Sequence, residues 1–349
     1  MTGSSTRTAV EFDRVSIVFG DRPEHALPLM DQGLSRGEIQ TRTGQILGVH
    51  DCTLSVAEGE ILVLMGLSGS GKSTLLRGVN ALNPVVRGEV RVWDGSKMQS
   101  VTKAEPETLR KLRLSHIAMV FQQFGLLPWR TVRDNVGLGL ELAGQTPDQR
   151  RAKVDQQLEL VNLTQWADRK VGELSGGMQQ RVGLARAFAT DAPILLMDEP
   201  FSALDPLIRA RLQDELLALQ SKLQRTIIFV SHDLDEAFKL GNRIALMEGG
   251  RIVQCGTARD IIARPASGYV ADFVEHMNPL GVLKANDILL PGPLGGAPMI
   301  EGETPVRQVM ARLMEVPALT VTEHGAPVGH VTRESVFARL LDPRGEGQA

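Results

Sequence analysis

Gly66-Leu67-Ser68-Gly69-Ser70-Gly71-Lys72-Ser73-Thr74 follows an apolar run that ends at Met65 and leads into a helix-forming stretch over 74–82. Glycines at 69 and 71 take backbone angles closed to other residues, so successive N–H groups can turn inward onto the oxygens of an anion. Lys72 supplies a point charge for the β and γ phosphates of a nucleotide and Ser73 a hydroxyl for Mg²⁺, while the helix start adds about half a positive charge. The stretch is built for a polyphosphate. A strand before it and a helix after it are the setting such a loop requires.

Working outward, the 349 residues suffice for one large domain and a small one. Hydrophobic residues at 42% and charged residues at 23% are globular values. The net charge is −3 and no basic block or basic stripe with aromatics occurs, so nucleic acid is not expected as a partner. Cys52 and Cys255 are too few for a disulfide framework and lack metal-ligand spacing, which fits a reducing compartment. No apolar run approaches the roughly 18 residues of a membrane-spanning helix, and the first ten residues carry no secretory segment. The chain is expected to be soluble, with any membrane role coming through a partner.

Over 9–277 short β-branched runs alternate with helical patterns, which predicts a mostly parallel sheet covered by helices. The expected central strands are 61–65, 117–121, 193–198 and 226–231, each nearly all apolar and ending at a polar or Gly residue. The block 131–161 carries charge on one face and Leu/Val on the other, and reads as a separate helical lobe. Pro and Gly crowd 278–299 and disfavour both helix and sheet, so a domain boundary is expected there. The tail, 305–341, reads helix, strand, Gly turn, strand, helix and is short for an independent core.

Asp198 and Glu199 close an apolar run, Ile194-Leu-Leu-Met-Asp-Glu. Two adjacent carboxylates buried without cations or donors would be costly. The functional reading has Asp198 order a Mg²⁺ shell while Glu199 accepts a proton from the water attacking a γ-phosphate. Alone, the pair is equally a strand ending in two solvated acids. A second glycine turn, Leu174-Ser175-Gly176-Gly177-Met178-Gln179-Gln180-Arg181, opens a predicted helix and offers another anion-receptive terminus. As structure only, it is a serine cap.

The order GLSGSGKST, FQQF, LSGGMQQR, LLMDEPFSALD and SHD resembles the nucleotide-binding subunit of an ATP-binding-cassette (ABC) transporter over about 9–277. The resemblance implies an α/β P-loop NTPase cassette with a mostly parallel sheet flanked by helices, an antiparallel β subdomain and an α-helical lobe at about 123–180. Residues Gly66, Leu67, Ser68, Gly69, Ser70, Gly71, Lys72, Ser73 and Thr74 match the family's phosphate loop, and Gln122 its Q-loop glutamine. Ser175, Gly176, Gly177 and Gln179 fall in the signature, Asp198 and Glu199 in the Walker B strand, residues 202–205 in the D-loop, and His232 is the switch histidine. The signature departs from the commonest form in having Met178 in place of Gln.

By this resemblance the cofactors are ATP and Mg²⁺, with Ser73, Gln122 and Asp198 around the metal and Glu199, His232 and Gln122 at the chemistry. Gln122 would reach both Mg²⁺ and the attacking water, and His232 would sense the γ-phosphate. In isolation the first reads as a strand-end amide and the second as a structural histidine. Phe19, before an insertion at 21–47, resembles the aromatic that stacks on adenine, although it also reads as core. One copy of each motif implies a head-to-tail homodimer holding two ATP at its interface.

The insertion, with Gly33-Leu-Ser-Arg-Gly-Glu-Ile and Thr43-Gly-Gln-Ile-Leu-Gly-Val, is similar to the quaternary-ammonium importers for glycine betaine, proline betaine and choline. Gly78-Val-Asn-Ala-Leu-Asn-Pro and Leu127-Pro-Trp-Arg-Thr-Val are similar to the choline branch. These imply an ATPase powering uptake of choline or a related betaine, on the cytoplasmic face of a bacterial inner membrane. Partners would be integral membrane permease subunits and, indirectly, a periplasmic substrate-binding protein. The patch 124–130, with Trp129, is the expected permease contact. An importer for another small solute and a non-transport ABC ATPase remain alternatives. After a linker at 278–300, residues 301–345 with Val328-Gly-His-Val-Thr-Arg-Glu are similar to a single partial CBS-like module, a small α+β extension.

Overall fold

The structure, a computed structural model, describes residues 7–123, 125–202, 204–275, 282–292 and 294–341. Phe124 of the expected permease contact, Ala203 of the D-loop, Met277, and parts of the expected linker and tail (278–281, 293, 342–345) lie outside the described residues. The chain divides into two compact units, Met1–His232 with Ala245–Ile252, and Asp233–Ile244 with Val253–Ala349.

The first strands in chain order are β1 (Thr8–Phe19), β2 (Ile46–Ala57), β3 (Ile61–Met65), β4 (Arg87–Trp93) and β5 (Met98–Ser100). An antiparallel sheet of order β2-β1-β4-β5 places Phe19 opposite Ile46 and Val10 opposite both Val56 and Val92. Strand β3 leaves this sheet. It joins β6 (Ile117–Val120), β7 (Ile194–Asp198), β8 (Thr226–Val230), β9 (Arg243–Glu248) and β10 (Arg251–Gly256) in a second sheet of order β10-β9-β3-β8-β7-β6.

The pairs β3/β8, β8/β7 and β7/β6 run parallel, with Ile61 opposite Ile227 and Ile194 opposite both Thr226 and Ile117. All five residues of β3, β7 and β8 are buried, as strands covered on both faces must be. Their carboxyl ends therefore lie along one edge, where ligands of open α/β sheets sit. That edge carries Gly66, Gln122, Glu199 and His232.

The helix after β3 covers Lys72–Gly78 instead of the expected 74–82. Asn80 accepts the Leu82 N–H at 3.2 Å through its own side chain, and Ala81 turns to φ +53°, so the helix ends before them. Residues 21–47 form a small packed layer, with helices Leu27–Asp31 and Arg36–Thr43 around buried Val18, Ala26, Met30, Ile39 and Leu47. The helical lobe contains Val132–Val136, Leu138–Leu142, Pro147–Leu160 and Gly176–Ala189, packed around Val136, Leu140, Val154, Leu158 and Val182. Capping boxes at Thr131/Asp134 and Thr146/Gln149 fix two of these helix starts.

In the second unit β11 (Leu290–Pro291), β12 (Met299–Glu301), β13 (Ala318–Glu323) and β14 (Ala326–Thr332) form a sheet of order β11-β14-β13-β12. Helices Val306–Leu313 and Arg333–Leu341 complete the helix, strand, turn, strand, helix run expected from the tail. The Pro/Gly-rich stretch before it does contribute regular structure. Leu283, Ala285 and Ile288 are buried in the core of this layer, and Pro291 sits in an edge strand, where a missing N–H is tolerated. Among the described residues no helix is long and apolar enough to cross a membrane.

Candidate active site

The phosphate loop is held in shape by backbone that leaves no room for side chains. Gly66 has φ +139° and a Cβ there would lie 2.1 Å from the Met247 carbonyl oxygen; Gly71 has φ +102° and a Cβ there would lie 2.6 Å from the Gly48 carbonyl oxygen. Leu67, Ser68 and Gly69 are exposed at the crest, whereas Ser70 and Lys72 are buried. Lys72 Nζ donates to the carbonyls of Gly66 at 2.8 Å and Leu67 at 2.9 Å, which are bonds that phosphate oxygens can replace. Burial draws the Lys72 ammonium below the ordinary lysine value, and the carboxylates of Glu199 and Asp198 pull it back up.

Asp198 is fully buried at the end of β7. Ser73 Oγ donates to its Oδ1 at 2.6 Å, and Arg77 Nη2 pairs with its Oδ2 at 2.8 Å. A buried carboxylate bound to one hydroxyl and one guanidinium is fixed in direction. Arg77 was not singled out in the sequence, although its position four residues after Ser73 puts both on one helix face.

Glu199 follows with φ +48°, a left-handed backbone held by its N–H bond to the Val230 carbonyl at 3.1 Å. Its carboxylate is mostly covered. Gln122 Nε2 donates to Glu199 Oε2 at 3.3 Å, and His232 Nδ1 lies 3.2 Å from the same oxygen. Three strand ends, after β6, β7 and β8, thus meet at one carboxylate oxygen. Ser202 Oγ and Gln180 Nε2 approach the Glu199 carbonyl at 3.0 and 3.5 Å, and Gln180 had no sequence signal separating it from its neighbours.

Phe19 is half-buried beside the loop's exit. A Cβ on Gly48 would lie 2.8 Å from Phe19 Cε2 and 2.9 Å from Thr74 Cγ2, so ring and threonine lie over the same bare stretch of β2. The signature stands apart on the lobe. Ser175 occupies the N-cap of Gly176–Ala189 but its hydroxyl makes no capping bond, while Gln179 donates to the Leu174 carbonyl at 3.0 Å. Trp129 is 68% exposed, whereas Leu126 packs against the lobe core.

These residues fit a magnesium nucleotide. Ser70 Oγ is buried inside the loop without a partner, a hydroxyl donor in place for an anion. Among the described residues no group of three or more His, Cys, Asp or Glu is assembled as a metal site. One carboxylate and one hydroxyl suit a hard cation that keeps its waters and shares phosphate oxygens, which is the habit of Mg²⁺.

Comparison with known proteins agrees. The family model described as "ABC transporter" matches residues 49–202. The chain is 49% identical over 286 residues to the glycine betaine/proline betaine transport system ATP-binding protein ProV of Escherichia coli K12, covering 82% of this chain and 70% of that protein. It is 43% identical over 327 residues to the trimethylamine N-oxide transport system ATP-binding protein TmoW of Ruegeria pomeroyi, covering 93% of this chain and 94% of that one. Among solved structures, a dimeric post-hydrolysis ATP-binding cassette bound to ADP and Pi superposes with TM-score 0.61 at 30% identity, over 71% of this chain and 98% of the other. The α/β cassette with its phosphate loop, the strand-end cluster and these relatives converge on one conclusion: the chain belongs to the ABC transporter family, as an ATP-binding subunit.

Proposed function

We propose that this chain hydrolyses ATP to ADP and phosphate to power uptake of a small methylated ammonium compound, choline or a related betaine, through partner membrane subunits. The observation that carries the catalytic part is the meeting of Gln122 and His232 at Glu199 Oε2, on the sheet edge that also carries the Lys72-Ser73-Asp198 cluster. Lys72 and the loop N–H groups would bind the phosphates. Glu199 would take the proton of the attacking water at Oε2, Gln122 would orient that water, and His232 would hydrogen-bond the γ-phosphate. Ser73, Asp198 and Gln122 would hold Mg²⁺, which when bound neutralises charge on the phosphates. Phe19 would stack on the base.

In this reading two copies associate head to tail, so that Ser175, Gly176, Gly177 and Gln179 of one close over the nucleotide held by the other. The ADP- and Pi-bound dimer among the similar structures supports it. The dimer would lie on the cytoplasmic face of the inner membrane, with exposed Trp129 near the permease contact and a periplasmic binding protein delivering the solute. We assign the cassette to 9–277 with its lobe at about 123–180, a connection at 278–300, and a single partial CBS-like module at 301–345.

Solute choice belongs to the partner subunits. One Tyr and three Trp in the whole chain leave little from which to build an aromatic cage for a quaternary cation. The near full-length match to a trimethylamine N-oxide ATP-binding protein favours that oxide as a second solute reading. Uptake of labelled choline, glycine betaine and trimethylamine N-oxide in cells lacking this chain separates the two. Loss of choline or betaine uptake, restored by the wild-type chain but not by Glu199→Gln, is expected. Loss confined to the oxide favours the second reading, and normal uptake of all three removes both.

A further inference from the structure

A side chain of the layer at 21–47, Arg36, reaches the phosphate loop. Arg36 is the first residue of helix Arg36–Thr43, whose start is fixed by the Ser35/Glu38 capping box and whose Ile39 is buried with Val18, Ala26, Met30 and Leu47. Arg36 therefore projects from an anchored platform. Its Nη1 donates to the Gly69 carbonyl at 2.6 Å, and its Nη2 donates to the Gly48 carbonyl on β2. The Gly48 oxygen is also the atom a Cβ on Gly71 would strike, at 2.6 Å. Gly250 closes a third side: its N–H donates to the Ser70 carbonyl at 3.1 Å, and a Cβ on it would lie 2.6 Å from Arg36 Nη2. One planar fork thus ties the crest of the loop to the strand beneath it, a geometry that arginine provides and lysine does not.

We propose that Arg36 is a positioning residue of the nucleotide site, by which the inserted helix clamps the Gly69 carbonyl and holds the phosphate loop in its anion-binding shape before nucleotide arrives. This rests on reading 66–74 as the nucleotide loop. A trans peptide points its carbonyl and the following N–H in opposite directions, so fixing the Gly69 oxygen also sets the direction of the Ser70 N–H, which donates to the Leu67 carbonyl at 3.1 Å. Gly69, at φ +78° with no side chain, has the widest choice of conformations to lose, and a clamp that removes that choice beforehand lowers what nucleotide binding must order. Burial of the guanidinium draws it below the usual arginine value but leaves it a cation.

The test uses the full chain and a fluorescent ATP analogue titrated without turnover, with hydrogen exchange of the loop amides measured on nucleotide-free protein. Arg36→Ala is expected to raise the Kd by about tenfold, the loss of charged hydrogen bonds to two carbonyls, and to speed exchange across 67–71. Turnover at saturating ATP should stay within about twofold of wild type, giving a KM effect without a matching kcat effect. Arg36→Lys, which keeps charge and stem, should fall between; it carries the test if the alanine variant does not fold. Wild-type Kd and exchange in Arg36→Ala, or full recovery in Arg36→Lys, would overturn the proposal. Lys72→Ala separates it from its premise: if Lys72→Ala loses binding while Arg36→Ala does not, only the clamp fails, and if Lys72→Ala binds normally the loop reading fails with it.

Discussion

Glu199 is defined by what surrounds one oxygen. Gln122 and His232 both approach Oε2, while the backbone sits at φ +48°, a conformation that costs about 1–3 kcal/mol in a non-glycine residue and survives where the surroundings impose it. The bonds from Glu199 N–H to Val230 and from Ser202 Oγ to the Glu199 carbonyl are what impose it. Glu199→Gln keeps the side chain's size but removes the proposed proton acceptor, so ATP turnover is expected to fall by about 10²–10⁴-fold. ATP affinity should persist, because Lys72 and Ser73 are untouched. Steady phosphate release and a nucleotide titration measure the two, and unchanged turnover would remove Glu199 as the base. This residue was legible from the sequence through the motif order around it, since two acids closing an apolar run also read, alone, as a solvated strand end. Arg77 and Arg36 were not. Their partners lie 121 and 33 positions away, and no periodicity links residues across such gaps.

Among the elements, the antiparallel sheet shows how charge holds an edge. Strand β5 pairs through Arg91↔Ser100 and Trp93↔Met98 on β4, a short ladder. Glu89 on β4 is held down from the usual 4.5 to about 2, first by the Ser100 hydroxyl and then by Arg91, which also reaches Glu11 on β1 at 2.8 Å. A carboxyl whose folded value is depressed contributes stability that is present above its unfolded value and lost as pH falls toward the folded one. Thermal stability should therefore decline between about pH 4.5 and about pH 2 through this group, and Glu89→Gln should flatten that part of the pH profile. An unaltered slope in the variant would show that Glu89 is not the linked group. The central strands β3, β6, β7 and β8 were legible because burial on both faces leaves a continuous apolar run. The stretch 283–291 was not, because Pro and Gly mask a few buried apolar residues, Leu283, Ala285 and Ile288, that only the tertiary core explains.

At the scale of the whole molecule, the motif order revealed the cassette, whereas the role proposed for its signature depends on a second chain. Ser175 is exposed at the N-cap with its hydroxyl unused for capping, and a Cβ on Gly176 would meet nothing within 4 Å, so this helix start opens onto free space. The first N–H groups of any helix have no partner within it. In the proposed head-to-tail pair, this anion-receptive terminus on the lobe would meet a nucleotide held by the phosphate loop of a second copy. With hydrolysis blocked by Glu199→Gln, magnesium ATP should therefore hold the protein at twice the mass of one chain in sedimentation. Adding Ser175→Arg places a bulky side chain at the terminus that must close over the partner's nucleotide, while leaving Lys72, Ser73 and Asp198 intact. The double variant is expected to bind ATP yet sediment as a single chain. If it dimerises like its parent, the signature does not form the interface; if the Glu199→Gln protein itself stays single under saturating nucleotide, the head-to-tail pair is excluded and Ser175 needs another ligand.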